Sequence, residues 1–172
     1  YPIWSETFLR QDLRFLQAAG VPLVPVSLFA GDTERRPEWP AVTCLHSERP
    51  AGTAGRGTHQ GRLLSRFTSR RLRTWYSLWR HRDILSELMR LVAEHGIGHV
   101  HGEFADLPGL MAARTARKTG VSHSIGIHAR DVHLGKYDAR RIFRGARFVL
   151  SCNHAALAAA SAFLTGAEER AH

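Results

Sequence analysis

Side chains able to exchange protons or hold polar ligands gather in two stretches of this chain. They are His-Val-His-Gly-Glu-Phe-Ala-Asp at 99–106 and Ser-Ile-Gly-Ile-His-Ala-Arg-Asp at 124–131. His99, His101 and Glu103 alternate, so on a strand all three project from one face, the disposition a chelating site needs. A parallel strand is covered on both faces, however, and no further ligand set is announced, so no metal is expected. His128 stands three residues before Asp131. At the carboxyl end of a strand it can donate a hydrogen bond to a ligand hydroxyl or stabilise developing charge; a bond to neighbouring backbone is the equal alternative. Nucleophilic and phosphate-loop chemistry find no support. Neither cysteine sits in a recognisable site, no serine lies in an elbow pattern, and no Walker or G-x-G-x-x-G signature follows a strand.

These residues need elements that bring them together, and the intervening sequence supplies them. Residues 97–104 read as a short strand, Pro108 suits the first turn of a helix, Gly120 ends it, and 122–128 reads as a second strand. A strand-helix-strand crossover favours parallel pairing, so Glu103, Asp106, His128 and Asp131 are expected along one sheet edge, where open α/β sheets bind ligands.

Around this unit the chain reads as follows. Residues 1–20 are a loop and a helix, with Ser5 as N-cap, Leu9, Leu13 and Leu16 as its apolar stripe, and Gly20 and Pro22 as its stop. Ser5, Glu6 and Thr7 then lie at a helix start whose amides can hold an anion, although Ser5 capping its own helix is the simpler role. Residues 21–29 suggest a strand in which Pro22 and Pro25 call for an edge or a bulge. Residues 30–61 read as a long loop with a short strand at 41–45. The longest helical pattern is 63–95, with a break near Arg82; Leu72, Trp75, Tyr76 and Trp79 repeat at helical spacing and are assigned to the core, with the arginines on the solvated face. Further on come a short helix at 137–144, a brief buried strand at 147–150, and an alanine-rich helix capped by Asn153.

Composition bounds the class. The 172 residues suit one domain, and 44% hydrophobic with 23% charged residues is ordinary for a globular chain. Two distant cysteines argue against a disulfide framework and for a reducing, cytoplasmic compartment. No apolar run reaches the length of a membrane span, and the first residues lack the parts of a signal peptide. The net charge of +9 is unevenly placed, with seven arginines and no acidic residue between 62 and 82. Such a field attracts phosphates, anionic lipid or nucleic acid, whereas a solvated helix face is the commoner explanation.

Four segments together resemble family 4 glycosyltransferases of the bacterial exopolysaccharide and lipopolysaccharide type. They are Tyr-Pro-Ile-Trp-Ser-Glu-Thr-Phe-Leu at 1–9, His-Val-His-Gly-Glu-Phe-Ala at 99–105, Ile-His-Ala-Arg-Asp-Val at 127–132 and Ala-Arg-Phe-Val-Leu-Ser at 146–151. The resemblance implies the GT-B fold, two Rossmann-like domains facing a cleft, of which this chain looks like the amino-terminal, acceptor-side half. It implies that Ser5, Glu6 and Thr7 line the cleft, that His128 approaches the donor sugar, and that Asp131 supports its loop; Glu103 and Arg130 join the substrate-binding set. Two departures stand out. The second domain with its Glu-x7-Glu element is missing, as is the strand normally preceding Tyr1, so a fragment inactive on its own is expected.

The fold expected is therefore α/β, a Rossmann-like, mainly parallel sheet flanked by helices. The function expected is the acceptor-binding half of a retaining transferase that moves a sugar from a nucleotide-sugar donor to a glycan or lipid-linked acceptor. No cofactor is called for beyond the donor as substrate, and an anionic membrane surface, on the inner face, is a partner for the arginines of 62–82. The rival is a non-catalytic α/β module that binds a phosphorylated or nucleotide ligand. A nucleic-acid binder rests on charge alone, lacks any motif for base or groove recognition, and is not expected.

Overall fold

The computed structural model describes residues 7–29, 42–45, 69–128 and 137–164, in two compact units, Tyr1–Arg62 and Leu63–His172. The fold is α/β and Rossmann-like: each unit holds a small sheet whose strands run parallel, with helices beside it. Each unit is described by itself.

In the first unit, helix α1 (Thr7–Ala18) ends as the sequence predicts, with Gly20 at a positive φ of 73°. Strand β1 is only Val26–Ser27, far shorter than the 21–29 expected. Pro22 and Pro25 lack the N–H a ladder requires, and pairing starts once they are passed. Its partner β2 (Thr43–Cys44) lies within the predicted 41–45 and runs parallel to it. Ser5 and Glu6 lie outside the described residues.

The second unit contains the central crossover. The 63–95 pattern resolves into two helices, α2 (Arg70–Arg80) and α3 (Arg82–Glu94), parted at His81 beside the predicted break. Strand β3 (His99–Gly102), helix α4 (Leu107–Thr119) and strand β4 (Ser122–Ile127) follow. Pro108 occupies the first turn of α4, and Gly120 closes it at φ 78° in the left-handed region, as expected. Helix α5 (Ala139–Phe143), strand β5 (Val149–Ser151) and helix α6 (His154–Leu164) complete the unit, and the three strands form one sheet in the order β3-β4-β5. Asn153 caps α6 as predicted, its Oδ1 accepting from the Ala156 amide at 2.8 Å.

The core sits where α4 lies on the sheet. Leu110, Met111 and Ala113 of α4, Ile125 and Ile127 of β4, Ile84 of α3 and Ile142 of α5 are buried. Close approach of helix and sheet depends on two glycines. A Cβ on Gly102 would stand 2.8 Å from the Gly109 Cα, and one on Gly109 would stand 2.6 Å from the Phe104 carbonyl oxygen.

Two burial assignments need correction. On α2 the aromatic stripe faces outward: Leu72, Trp75, Tyr76 and Trp79 are 58%, 61%, 51% and 55% exposed. The buried side carries Thr74 and Ser77 instead. Thr74 Oγ1 accepts from the Asp138 amide at 2.9 Å and donates to the Arg70 carbonyl at 2.7 Å, while the Ser77 hydroxyl donates to Tyr137 Oη at 3.2 Å. Small polar groups that satisfy one another hold this contact at the cost of an outward apolar face. The strand expected to be buried at 147–150 is likewise not buried, since Leu150 of β5 and Phe148 just before it stand out to solvent.

Alanine at Gly102 or Gly109 overpacks the α4–sheet contact and is expected to lower unfolding free energy by about 1–3 kcal/mol. Leu110→Ala, which opens a cavity in the same layer, is expected to lower it by about 2–5 kcal/mol. Urea unfolding followed by circular dichroism measures both.

Candidate functional site

The candidate site is built by register. Strands β3 and β4 pair in parallel with His99 opposite Ser122, Val100 opposite His123, His101 opposite Ser124 and Gly102 opposite Ile125. Alternation then divides the side chains. Gly102 and Ile125 turn toward α4, and His123 reaches α5, where its Nε2–H donates to the Ile142 carbonyl at 3.2 Å. The other face receives His99, His101, Glu103, Ser122 and Ser124.

At the carboxyl edge Glu103 is the hub. Its Oε2 accepts from His101 Nε2 at 3.2 Å and its Oε1 from His128 Nε2 at 3.1 Å. Glu103 and His128 are both largely shielded, and the Phe104 ring lies 5.0 Å from the His128 ring at 42°. The carboxylate approaches this closely because the neighbouring β4 position is Gly126. A Cβ there would stand 2.7 Å from the Glu103 carbonyl oxygen and 3.2 Å from its Oε1.

Electrostatics follow from this packing. Burial alone would raise the Glu103 carboxyl, but hydrogen bonds from His101 and His128, reinforced by their charge, outweigh it and hold the group below its ordinary 4.5. His99 moves down from 6.5 because of burial first and then the nearby charges of His101, His123 and Arg147. Burial also lowers His123 from 6.5, against the opposing pull of the Ile142 carbonyl. At neutral pH the edge therefore carries a fixed carboxylate between two imidazoles. Such a group accepts hydrogen bonds from hydroxyls and keeps His128 in a defined orientation.

The structure thus unites two of the predicted site residues, Glu103 and His128, on adjacent parallel strand ends. Asp106 is the residue from which α4 starts, and the Leu110 amide bonds to its backbone carbonyl at 3.0 Å. Thr7 opens α1 in the other unit. Ser5, Glu6, Arg130 and Asp131 fall outside the described residues. His101 enters the site as the second partner of Glu103, a role sequence analysis did not give it. Ser122 and Ser124 were also missed, although their alternation one strand after that of His99 and His101 is the signal that pairs them. Among the described residues no group of three or more His, Cys, Asp or Glu side chains is disposed to hold a metal ion. Cys44 and Cys152 are both free and exposed.

Acid should weaken the fold in two stages. A lowered histidine value means that folding stability is full above 6.5 and declines on acidification, as His99 and His123 must charge against burial. A lowered carboxyl value means that the Glu103 contribution is present above 4.5 and is lost as pH falls through the depressed value. Glu103→Gln is expected to remove the second stage and leave the first. Urea midpoints recorded from pH 8 down to about pH 3, spanning the ordinary histidine and carboxyl values, measure both stages.

No family model matches the chain, and neither a curated protein nor a solved structure is similar to it at a significant level. The site therefore stands on its own residues and their geometry.

Proposed function

We propose that this chain is the acceptor-binding half of a retaining glycosyltransferase of family 4 type, which moves a sugar from a nucleotide-sugar donor to a glycan or lipid-linked acceptor in polysaccharide biosynthesis. The observation that carries the reading is the bond between Glu103 and His128, which holds an imidazole at the carboxyl edge of two parallel strands. Ligands of open α/β sheets lie at this edge. The resemblance of the four segments favours the same residue, His128, as the one nearest the donor sugar.

The chemistry asked of these residues is modest. In such transfers the leaving diphosphate takes the proton of the acceptor hydroxyl, so the protein's part is positioning and stabilising charge. The Glu103 carboxylate fixes the orientation of the His128 ring through their hydrogen bond. The flat Phe104 ring beside it offers an apolar surface. The donor's nucleotide is assigned to a second domain.

In the intact protein that carries this sequence, His128→Ala is expected to lower kcat for sugar transfer by about 10²–10³, the range found when one stabilising donor is removed. KM for acceptor should change little, as measured with a radiolabelled nucleotide sugar. Saturable nucleotide binding by this chain without any acceptor binding, read by calorimetry, would instead favour the module for phosphorylated ligands.

The outward face of α2 supports a partner in the same reading. Leu72, Trp75, Tyr76 and Trp79 form one exposed stripe, with Arg70, Arg71, Arg80 and Arg82 on the same helix or just past it. The Arg82 guanidinium lies 5.7 Å from the Trp79 ring, and Tyr76 lies 5.9 Å from Trp79. Aromatic rings among arginines suit the interface of an anionic bilayer, with rings at headgroup depth and guanidinium groups on phosphates. Among the described residues no helix is long and apolar enough to cross a membrane, so attachment is proposed at the surface, on the cytoplasmic side. The wild-type chain should sediment with phosphatidylglycerol vesicles and be released by salt. Trp75→Ser with Trp79→Ser should weaken partitioning at least about tenfold, since each ring contributes on the order of 1–3 kcal/mol when buried.

A further inference from the structure

The Glu103–His128 pair is one end of a longer line of hydrogen bonds that runs down the polar face of the sheet. Ser122 Oγ lies 3.1 Å from the Gly98 carbonyl oxygen and 2.7 Å from His99 Nδ1. His99 Nε2 lies 2.7 Å from Ser124 Oγ, and Ser124 Oγ lies 2.7 Å from His101 Nδ1. His101 Nε2 then meets Glu103, and Glu103 meets His128. The interleaving follows from register, because His99 and His101 face Ser122 and Ser124 across the ladder. The line covers about 15 Å, some five residues of strand at roughly 3.3 Å each.

Donor counting fixes its direction. Glu103 is a carboxylate at neutral pH and only accepts, so His101 Nε2 carries hydrogen. With His101 neutral, its Nδ1 is bare and the Ser124 hydroxyl must donate to it. Ser124 is fully buried, so its oxygen takes the His99 Nε2–H as its other partner. His99 Nδ1 is then bare and accepts from Ser122. Every hydrogen in the line points toward Glu103.

One added proton reverses it. Ser122 passes its hydroxyl proton to His99 Nδ1 and takes the incoming one from solvent, which now points to the Gly98 carbonyl. His99 releases its Nε2 proton to Ser124 Oγ, and Ser124 releases its own to His101 Nδ1. Each N–H or O–H bond broken is matched by one formed, no heavy atom has to travel, and the single positive charge arrives on His101 beside the Glu103 carboxylate. We propose that this face of the sheet is a proton relay, joining solvent near Ser122 to the Glu103–His128 pair, with Ser124 as its junction. The charged and titratable groups around it agree with that destination. His99 is flanked by the stacked Phe148 ring at 5.5 Å and by the charges of His101, His123 and Arg147, which disfavour a resting charge there. His101 Nε2, by contrast, faces the Glu103 carboxylate at 3.2 Å.

The relay does not depend on sugar transfer, and its test reads protons directly. In the whole chain, nitrogen-15 NMR of the imidazoles should show neutral His99 and His101 both carrying hydrogen on Nε2 at alkaline pH. As acid charges His101, the His99 hydrogen should exchange fully from Nε2 to Nδ1 with the same midpoint. In Ser124→Ala the exchange on His99 should be uncoupled from His101, and Ser124→Thr, which keeps the hydroxyl, should restore it. A wild-type His99 tautomer that stays unchanged while His101 titrates would overturn the proposal, as would the same coupled exchange in Ser124→Ala. The wild-type measurement decides even if a variant does not fold.

Discussion

The parallel pairing of β3 with β4 is the constraint on which the rest of this structure depends. Four backbone partners, from His99 with Ser122 to Gly102 with Ile125, set which side chains meet on each face. A slip of one residue would either send His101 of β3 and Glu103 just past its end into the apolar layer under α4 or lift Ile125 and Ile127 of β4 out of it. The hydrophobic layer and the polar line therefore select the same register. Neither could be kept without the other.

Glycine makes that register compatible with close packing. Gly102 and Gly109 let α4 settle onto the strand, and Gly126 lets the Glu103 backbone and carboxylate lie against β4. The three positions are different in kind from Gly20 and Gly120, which serve helix ends through a positive φ. Removing a methyl group at the carboxyl edge is what leaves room for a carboxylate between two imidazoles. Once seated there, Glu103 is more stable charged than its burial alone would allow, because two N–H donors outweigh the desolvation.

The same unit shows an apolar stripe and a buried surface pointing in opposite directions. On α2 the larger aromatic side chains are outside, and the contact with Tyr137 and Asp138 is made by Thr74 and Ser77. A helix normally buries its apolar face, so a helix that does not has an unspent surface. Its arginines give that surface a sign. This is why a membrane is the partner suggested for it, in preference to a second protein core.

Sequence alone determined the order and kind of the central elements, because their signals are local. Pro108 and Gly120 bracket a helix by fixed φ and by freedom to adopt positive φ, Asn153 caps another by its own side chain, and alternation put His99, His101 and Glu103 on one face. Those properties belong to residues and their near neighbours. Tertiary structure decided what these faces met. It shortened 21–29 to two residues, turned the α2 aromatics outward, and brought Ser122, Ser124 and His128 to residues more than twenty positions away. Pairing partner, register and burial are set by contacts distant in the chain, and a periodic pattern specifies a face without specifying its neighbour.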